Sequence, residues 1–241
     1  HDMGRPPGQA VPSWLARSPS RRMEGVTRTV VLVGVTVPMS LSLMGQRLTL
    51  MADRGWDVHV AVGEPVPDIH LPDPRVTVHV LPMTREITPA ADLRTLRDWS
   101  ALIGRLRPTV VVGATPKAAF VSMIAARRRG VRHRVFEAWG ARWDGVSGRR
   151  GSVLRMADRL TVRCATSTVA VSDSLADLMV AEGIAQARPI VIGHGATQGV
   201  DLETFHLRGA DDPDPGPTVG FVGRLAADKG LRDLPIVLGL V

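Results

Sequence analysis

A single cysteine, Cys164, among 241 residues leaves no intrachain disulfide framework and no cysteine-based zinc site. Its apolar neighbours mark it as a small core residue, and a reducing cytosolic location fits it. The histidines lack metal-ligand spacing, and His59 and His79 fall in strand-like segments, so no metal and no cofactor are expected. Aromatic residues make up only 4% and do not interleave with the basic runs; with no recognisable module, nucleic acid is not an expected partner. Long hydrophobic runs are missing too. Thr29 to Gln46 carries no charge and follows Arg21, Arg22 and Arg28, which mimics a leader, but Gly34, Pro38, Ser40, Ser42 and Gly45 interrupt it. A buried strand, a loop and a helix start explain it better than a membrane-spanning helix. Lysine is the scarcest cation: of 30 Lys and Arg residues only Lys117 and Lys229 are lysine. That placement hints at two sites needing a compact, flexible ammonium.

What is present is a chain of 44% hydrophobic residues, enough for a sizeable core, with a net charge of +7 that suggests anionic partners. Residues 1–24 are rich in Pro, Gly, Ser and Arg and read as a disordered basic tail. From there strand and helix patterns alternate. Strands are expected at 29–35, 56–62, 75–81, 109–113, 132–138, 168–171 and 189–192. Helices are expected at about 44–54, 92–106, 117–129, 152–165 and 174–182, the fourth with Met156, Leu160 and Cys164 on one face. This alternation implies an α/β fold, a doubly wound Rossmann-like parallel sheet spanning 25–208. Residues 209–217, Gly-Ala-Asp-Asp-Pro-Asp-Pro-Gly-Pro, read as a linker. Residues 218–241 then give the first strand and helix start of a second domain.

That start carries the sharpest motif. Val219 to Val222 read as a short buried strand turning at Gly223, and Asp228 as the N-cap of a helix from Lys229. Arg224 and Lys229 then stand where a strand end meets a helix N-terminus, the place where open α/β sheets hold anions. An ordinary surface loop is the competing reading. In the first domain, the loop 36–45 follows a strand end, with Ser42 either a helix cap or a ligand contact. Thr115 reads as an N-cap, Pro116 as N1, and Lys117 as a first-turn cation, either solvated or offset by an anion. Trp139 and Trp143 are either core residues or sugar-stacking aromatics, Ser172 or Asp173 caps a helix, and His194 is a loop residue. Arg155, Arg159 and Arg163 share a helix face, either solvated or set against anionic lipid.

G-R-L-x-x-x-K-G at 223–230 resembles the donor-diphosphate loop of the family 4 retaining glycosyltransferases, two-domain enzymes of the GT-B fold. T-V-P-M-S-L-S-L-M-G-Q at 36–46, T-P-K-A at 115–118, V-S-D-S at 171–174 and G-V-D at 199–201 are similar to that family in the same order. The resemblance implies transfer of a sugar from a nucleotide-sugar to a polyprenyl-diphosphate-linked saccharide, in envelope polysaccharide synthesis, without a metal. It gives Arg224 and Lys229 a catalytic role neutralising the diphosphate, and Gly223, Gly199 and Asp201 a place in the donor site. Ser42, Gly45, Thr115, Lys117 and Arg142 become acceptor contacts. It also implies a cytoplasmic enzyme, peripheral on the inner face of the plasma membrane. Family members continue well beyond this point with an E-x7-E pair that has no counterpart after residue 230. The second domain is therefore expected to be truncated, and this chain alone inactive, or active only with a missing half supplied elsewhere. Two alternatives stand beside this one: a non-enzymatic acceptor- or partner-binding module, and another GT-B enzyme such as a nucleotide-sugar epimerase.

Overall fold

The computed structural model describes residues 28–67, 73–84, 89–197, 199, 220–223, 230 and 232–239. The chain divides into two compact units, 1–199 and 200–241. The first contains seven strands: β1 (Val30–Gly34), β2 (Asp57–Val62), β3 (Thr77–Val80), β4 (Val110–Gly113), β5 (His133–Ala138), β6 (Ser167–Ala170) and β7 (Ile190–Val191). Its helices are α1 (Met39–Ser42), α2 (Gly45–Asp53), α3 (Pro89–Leu106), α4 (Pro116–Arg128), α5 (Gly148–Cys164) and α6 (Asp173–Ala181). All strand pairs are parallel, in the order β3-β2-β1-β4-β5-β6-β7. The doubly wound sheet expected from the alternating pattern is the one that forms.

A parallel sheet covered on both faces needs strands apolar on both faces. In β1, Leu32 joins one core with Trp99 and Leu102 of α3 and Ala119 and Met123 of α4. Its neighbours Val31 and Val33 join the other, with Leu41 of α1 and Met44 and Leu48 at the start of α2. The period of two along β1 therefore sorts side chains between two helical layers. Close approach of helix to sheet depends on two glycines. A Cβ on Gly113 would lie 2.6 Å from Ala119 Cα, and one on Gly34 2.6 Å from the Trp99 ring.

Two expectations are corrected in this unit. The helix at 152–165 starts earlier, at Gly148, and only Cys164 of its supposed core face is buried. Met156 and Leu160 are 63% and 42% exposed, because α5 turns Gly151, Thr161 and Cys164 inward instead. Loop 36–45 also contains the short helix α1, and Met44, not Ser42, stands at the N-cap of α2.

In the second unit, residues 220–223 form no strand, and Val222 is fully exposed, contrary to the buried strand expected there. Among the described residues this unit offers no neighbouring strand to take their backbone hydrogen bonds. Gly230 lies in a turn at φ +72°, and the described helix α7 (Leu234–Leu238) begins beyond it; the helix start expected at Asp228 and Lys229 lies outside the described residues. Pro235 sits in its first turn, where a missing N–H costs nothing.

Candidate functional site at the C-terminal edge of the sheet

The strand order reverses direction between β1 and β4, and open α/β sheets bind ligands at such switch points, outside the strands' carboxyl ends. Here the loops leaving β1 and β4 are tied together. Thr115 Oγ1 accepts from the Thr36 N–H at 2.8 Å and lies 2.7 Å from Thr36 Oγ1. Thr115 does occupy the N-cap position of α4, with Pro116 following, but its hydroxyl reaches across to β1's loop instead of capping its own helix. The first turn of α4 therefore keeps backbone N–H groups without a side-chain cap, at the end of the helix that favours negative charge.

Lys117 is neither solvated nor free. Its side chain is 5% exposed and its ammonium meets Asp92 Oδ1 of α3 at 2.5 Å. The anion that a first-turn lysine calls for is supplied from within the fold, by the acidic first turn of α3. Ser42, the last residue of α1, is exposed, and Gly45 opens α2; both belong to the segment leaving β1.

Beyond β5 the edge is built from aromatic and charged groups. Arg47 of α2 holds Glu137 through both oxygens, at 2.8 and 2.9 Å, and the Trp139 indole donates to the same carboxylate at 3.3 Å. Trp139 remains half-buried against the core, next to exposed Gly140. Trp143 is buried and donates to Asp158 Oδ2 at 2.8 Å. Burial raises the Asp158 pKa above the ordinary aspartate value, against the opposing effects of the Trp143 hydrogen bond and the charge of Arg142. Arg142 itself is exposed. Lys117, Arg142, Trp143 and Asp158 line one apolar-walled cavity of about 260 Å³.

Farther along the edge, Ser172 caps α6 through the Leu175 N–H at 3.1 Å, as its position suggested. The loop after β7 packs onto β6: Ala196 N–H donates to Val171 O at 2.7 Å, and a Cβ on Gly195 would overlap that oxygen. His194 and Gly199 are exposed.

The structure thus brings together Thr115, Lys117 and Arg142, with the segment bearing Ser42 and Gly45 joined to them through the Thr36–Thr115 contact. Of the donor-side residues it describes Gly199 and Gly223; Arg224, Lys229 and Asp201 lie outside the described residues. Arg155 and Arg159 do not form a free basic face. Arg155 pairs with Glu182 at 2.9 Å, and Arg159 donates to the backbone oxygens of Glu182 and Gly183, so both anchor α5 to the end of α6. Three pairings at this edge have no local signal: Asp92 and Glu137 meet their partners 25 and 90 residues away in sequence, and Thr36 pairs with a residue 79 away. Among the described residues no cluster of His, Cys, Asp or Glu could hold a metal ion. No described helix is long and apolar enough to cross a membrane.

Comparison with known proteins places this geometry in a family. Residues 47–195, more than half of the chain, match the glycosyl transferase 4-like domain. The chain is 29% identical over 208 residues to the capsular polysaccharide biosynthesis glycosyltransferase CapM of Staphylococcus aureus, covering 83% of this chain and 54% of that protein. It spans about half the length of this curated relative. Among solved structures, it resembles Anabaena HepE in complex with UDP and glucose, with TM-score 0.51 and 16% identity, over 72% of this chain and 45% of that one. It also resembles a candidate UDP-N-acetylglucosamine 2-epimerase from Listeria monocytogenes, with TM-score 0.53 and 16% identity, over 79% of this chain and 50% of that one. At such identity these two likenesses speak for the fold.

Proposed function

Because the chain belongs to the glycosyl transferase 4-like domain family, we propose that it is the acceptor-side part of a retaining glycosyltransferase acting in capsule or envelope polysaccharide synthesis. The donor is a nucleotide-sugar, and the acceptor a saccharide linked to a polyprenyl diphosphate. The observation that carries this reading is the switch-point edge itself. Thr36 and Thr115 fix two loops there, the first turn of α4 is left without a side-chain cap, and exposed Arg142 stands beside an apolar cavity. Backbone N–H groups and a cation suit a diphosphate, and the apolar walls suit the hydrocarbon attached to it.

In this reading Ser42 and Gly45 border the acceptor, and Lys117, held by Asp92, fixes the start of α4. Gly199, Asp201 and Gly223 belong to the donor side, where Arg224 and Lys229 offset the charge that builds on the departing diphosphate. The protein works in the cytoplasm, peripheral to the inner face of the membrane, with no metal. A nucleotide-sugar epimerase is the second reading, compatible with the fold shared with the Listeria protein. Calorimetric titration of the 241-residue chain with a polyprenyl-diphosphate-linked disaccharide, beside incubation with nucleotide-sugars alone, separates them. Saturable acceptor binding, weakened by Arg142→Ala, supports the transferase. Absence of acceptor binding sinks it, and isomerisation of a nucleotide-sugar without acceptor would establish the epimerase.

A further inference from the structure

Two contacts tie the loops at the carboxyl edge of the sheet to one another, and the second ends on an indole. Thr36 and Thr115 join the loops of β1 and β4. Arg47, in the first turn of α2, joins the chain leaving β1 to Glu137 of β5, two places along in the sheet order. This pair is a poor stabiliser for its burial. The Glu137 side chain is 12% exposed, and the Arg47 Nε is buried without a hydrogen-bond partner. A buried pair that leaves a donor unpaired recovers little of its desolvation cost. What it does secure is Trp139, whose indole N–H donates to Glu137 Oε2 at 3.3 Å.

Trp139 differs from the tryptophans that fill the core. Trp99 and Trp143 are 0% and 1% exposed, whereas Trp139 is half-buried against the core on the α2 side of the sheet. It directly follows β5, and a Cβ on its neighbour Gly140 would meet no atom within 4 Å, so the space beside it is open. With its N–H committed to Glu137, the indole offers a ligand only its ring faces and carbon edge. The apolar face of a pyranose suits such a surface, because its C–H groups bring partial positive charge to the negative ring face. The segment 139–143 also follows the order of the proposed acceptor. An aromatic surface at Trp139 comes first, then the Arg142 cation, then the apolar cavity that Arg142 and Trp143 line. Sugar, diphosphate and hydrocarbon have the same sequence.

We infer that Trp139 is a stacking platform for the saccharide of the acceptor, and that Glu137 and Arg47 are positioning residues acting through it. The inference rests on the transferase reading and adds to it the side chain that meets the sugar.

Calorimetric titration of the 241-residue chain with farnesyl diphosphate, and with the same diphosphate carrying a chitobiosyl unit, tests it. Stacking follows the apolar face of the ring rather than one hydroxyl pattern, so this saccharide serves as the probe. The wild-type chain binds the glycosylated ligand about tenfold more tightly than the bare diphosphate. Trp139→Leu removes that preference and leaves the affinity for farnesyl diphosphate unchanged, while Trp139→Phe, which keeps a ring, retains a preference of at least about threefold. Glu137→Ala lowers the preference about threefold in the wild-type background and not at all in the Trp139→Leu chain, which separates positioning from a general loss of structure. If Trp139→Leu weakens both ligands equally, or neither, the inference is overturned while the transferase reading stands. Equal wild-type affinity for the two ligands overturns it as well. If the wild-type chain binds neither ligand, the acceptor site itself falls, and the stacking platform with it.

Discussion

Replacing Lys117 by alanine removes one partner of an ion pair whose side chains are only 5% and 16% exposed. The loss leaves the Asp92 carboxylate at the start of α3 without its cation. Removing one member of a buried pair costs about 3–5 kcal/mol, because the remaining charge keeps its desolvation penalty. The residual exposure of Asp92 places the expected cost near the lower end, about 3 kcal/mol. For a unit of this size, 1 kcal/mol shifts Tm by about 2–4 °C, so Lys117→Ala should lower Tm by about 6–12 °C. The double variant Lys117→Met, Asp92→Leu removes both charges and keeps most of the volume. It should recover at least half of the loss, a coupling of more than about 1 kcal/mol. Urea denaturation of Lys117→Ala measures the first quantity, and of the wild type, Lys117→Met, Asp92→Leu and the double variant the second. A single-variant cost below about 1 kcal/mol would show that Lys117 reaches solvent. A double variant as unstable as the sum of the singles would show that the two residues act independently.

Other consequences follow from the same contacts. Thr115→Val removes the hydroxyl that links the β1 and β4 loops and should cost about 1–2 kcal/mol in the same urea assay. Gly113→Ala places a Cβ 2.6 Å from the α4 backbone, which has no flexible end to give way, and should cost about 1–3 kcal/mol. Burial and the neighbouring His59, 3.0 Å away, hold the His79 pKa below 6.5. Between that lowered value and 6.5 the unfolded chain binds more protons, so stability should fall as pH drops below about 6.5, and less so in His79→Gln. Asp158 has the opposite sign. Its raised pKa means that the folded chain binds more protons above pH 3.8, a stabilisation lost as pH rises through the folded value and absent in Asp158→Asn.

The layered sheet was legible because its signal is local and repeated: apolar strands such as 30–34 and 110–113, each followed by a helical period within a few residues. The switch-point loops were legible for a related reason. Thr115-Pro116 is a local helix-start signature, and the topology then sets it at the ligand edge. Pairings across the fold were not. Lys117 plainly called for an anion, but nothing near it in sequence marks Asp92, since the two meet only when α3 and α4 pack together. The same holds for Arg47 and Glu137. The α5 face was misread because Met156 and Leu160 line an open apolar cavity instead of the core, while Arg155 and Arg159 turn to Glu182 and Gly183. Around 219–223, apolar composition suggested a strand, but a strand forms only beside a neighbour. The family likeness therefore agreed with the fold and was silent on these contacts.

Amide hydrogen exchange of the 241-residue chain, with and without a polyprenyl-diphosphate-linked disaccharide, tests the location of the acceptor site most directly. The account predicts new protection concentrated at 36–45, 113–118 and 139–143, the loops that leave β1, β4 and β5. Protection confined to the opposite edge of the sheet, at 107–109 or 130–132, or no protection at all, would contradict it.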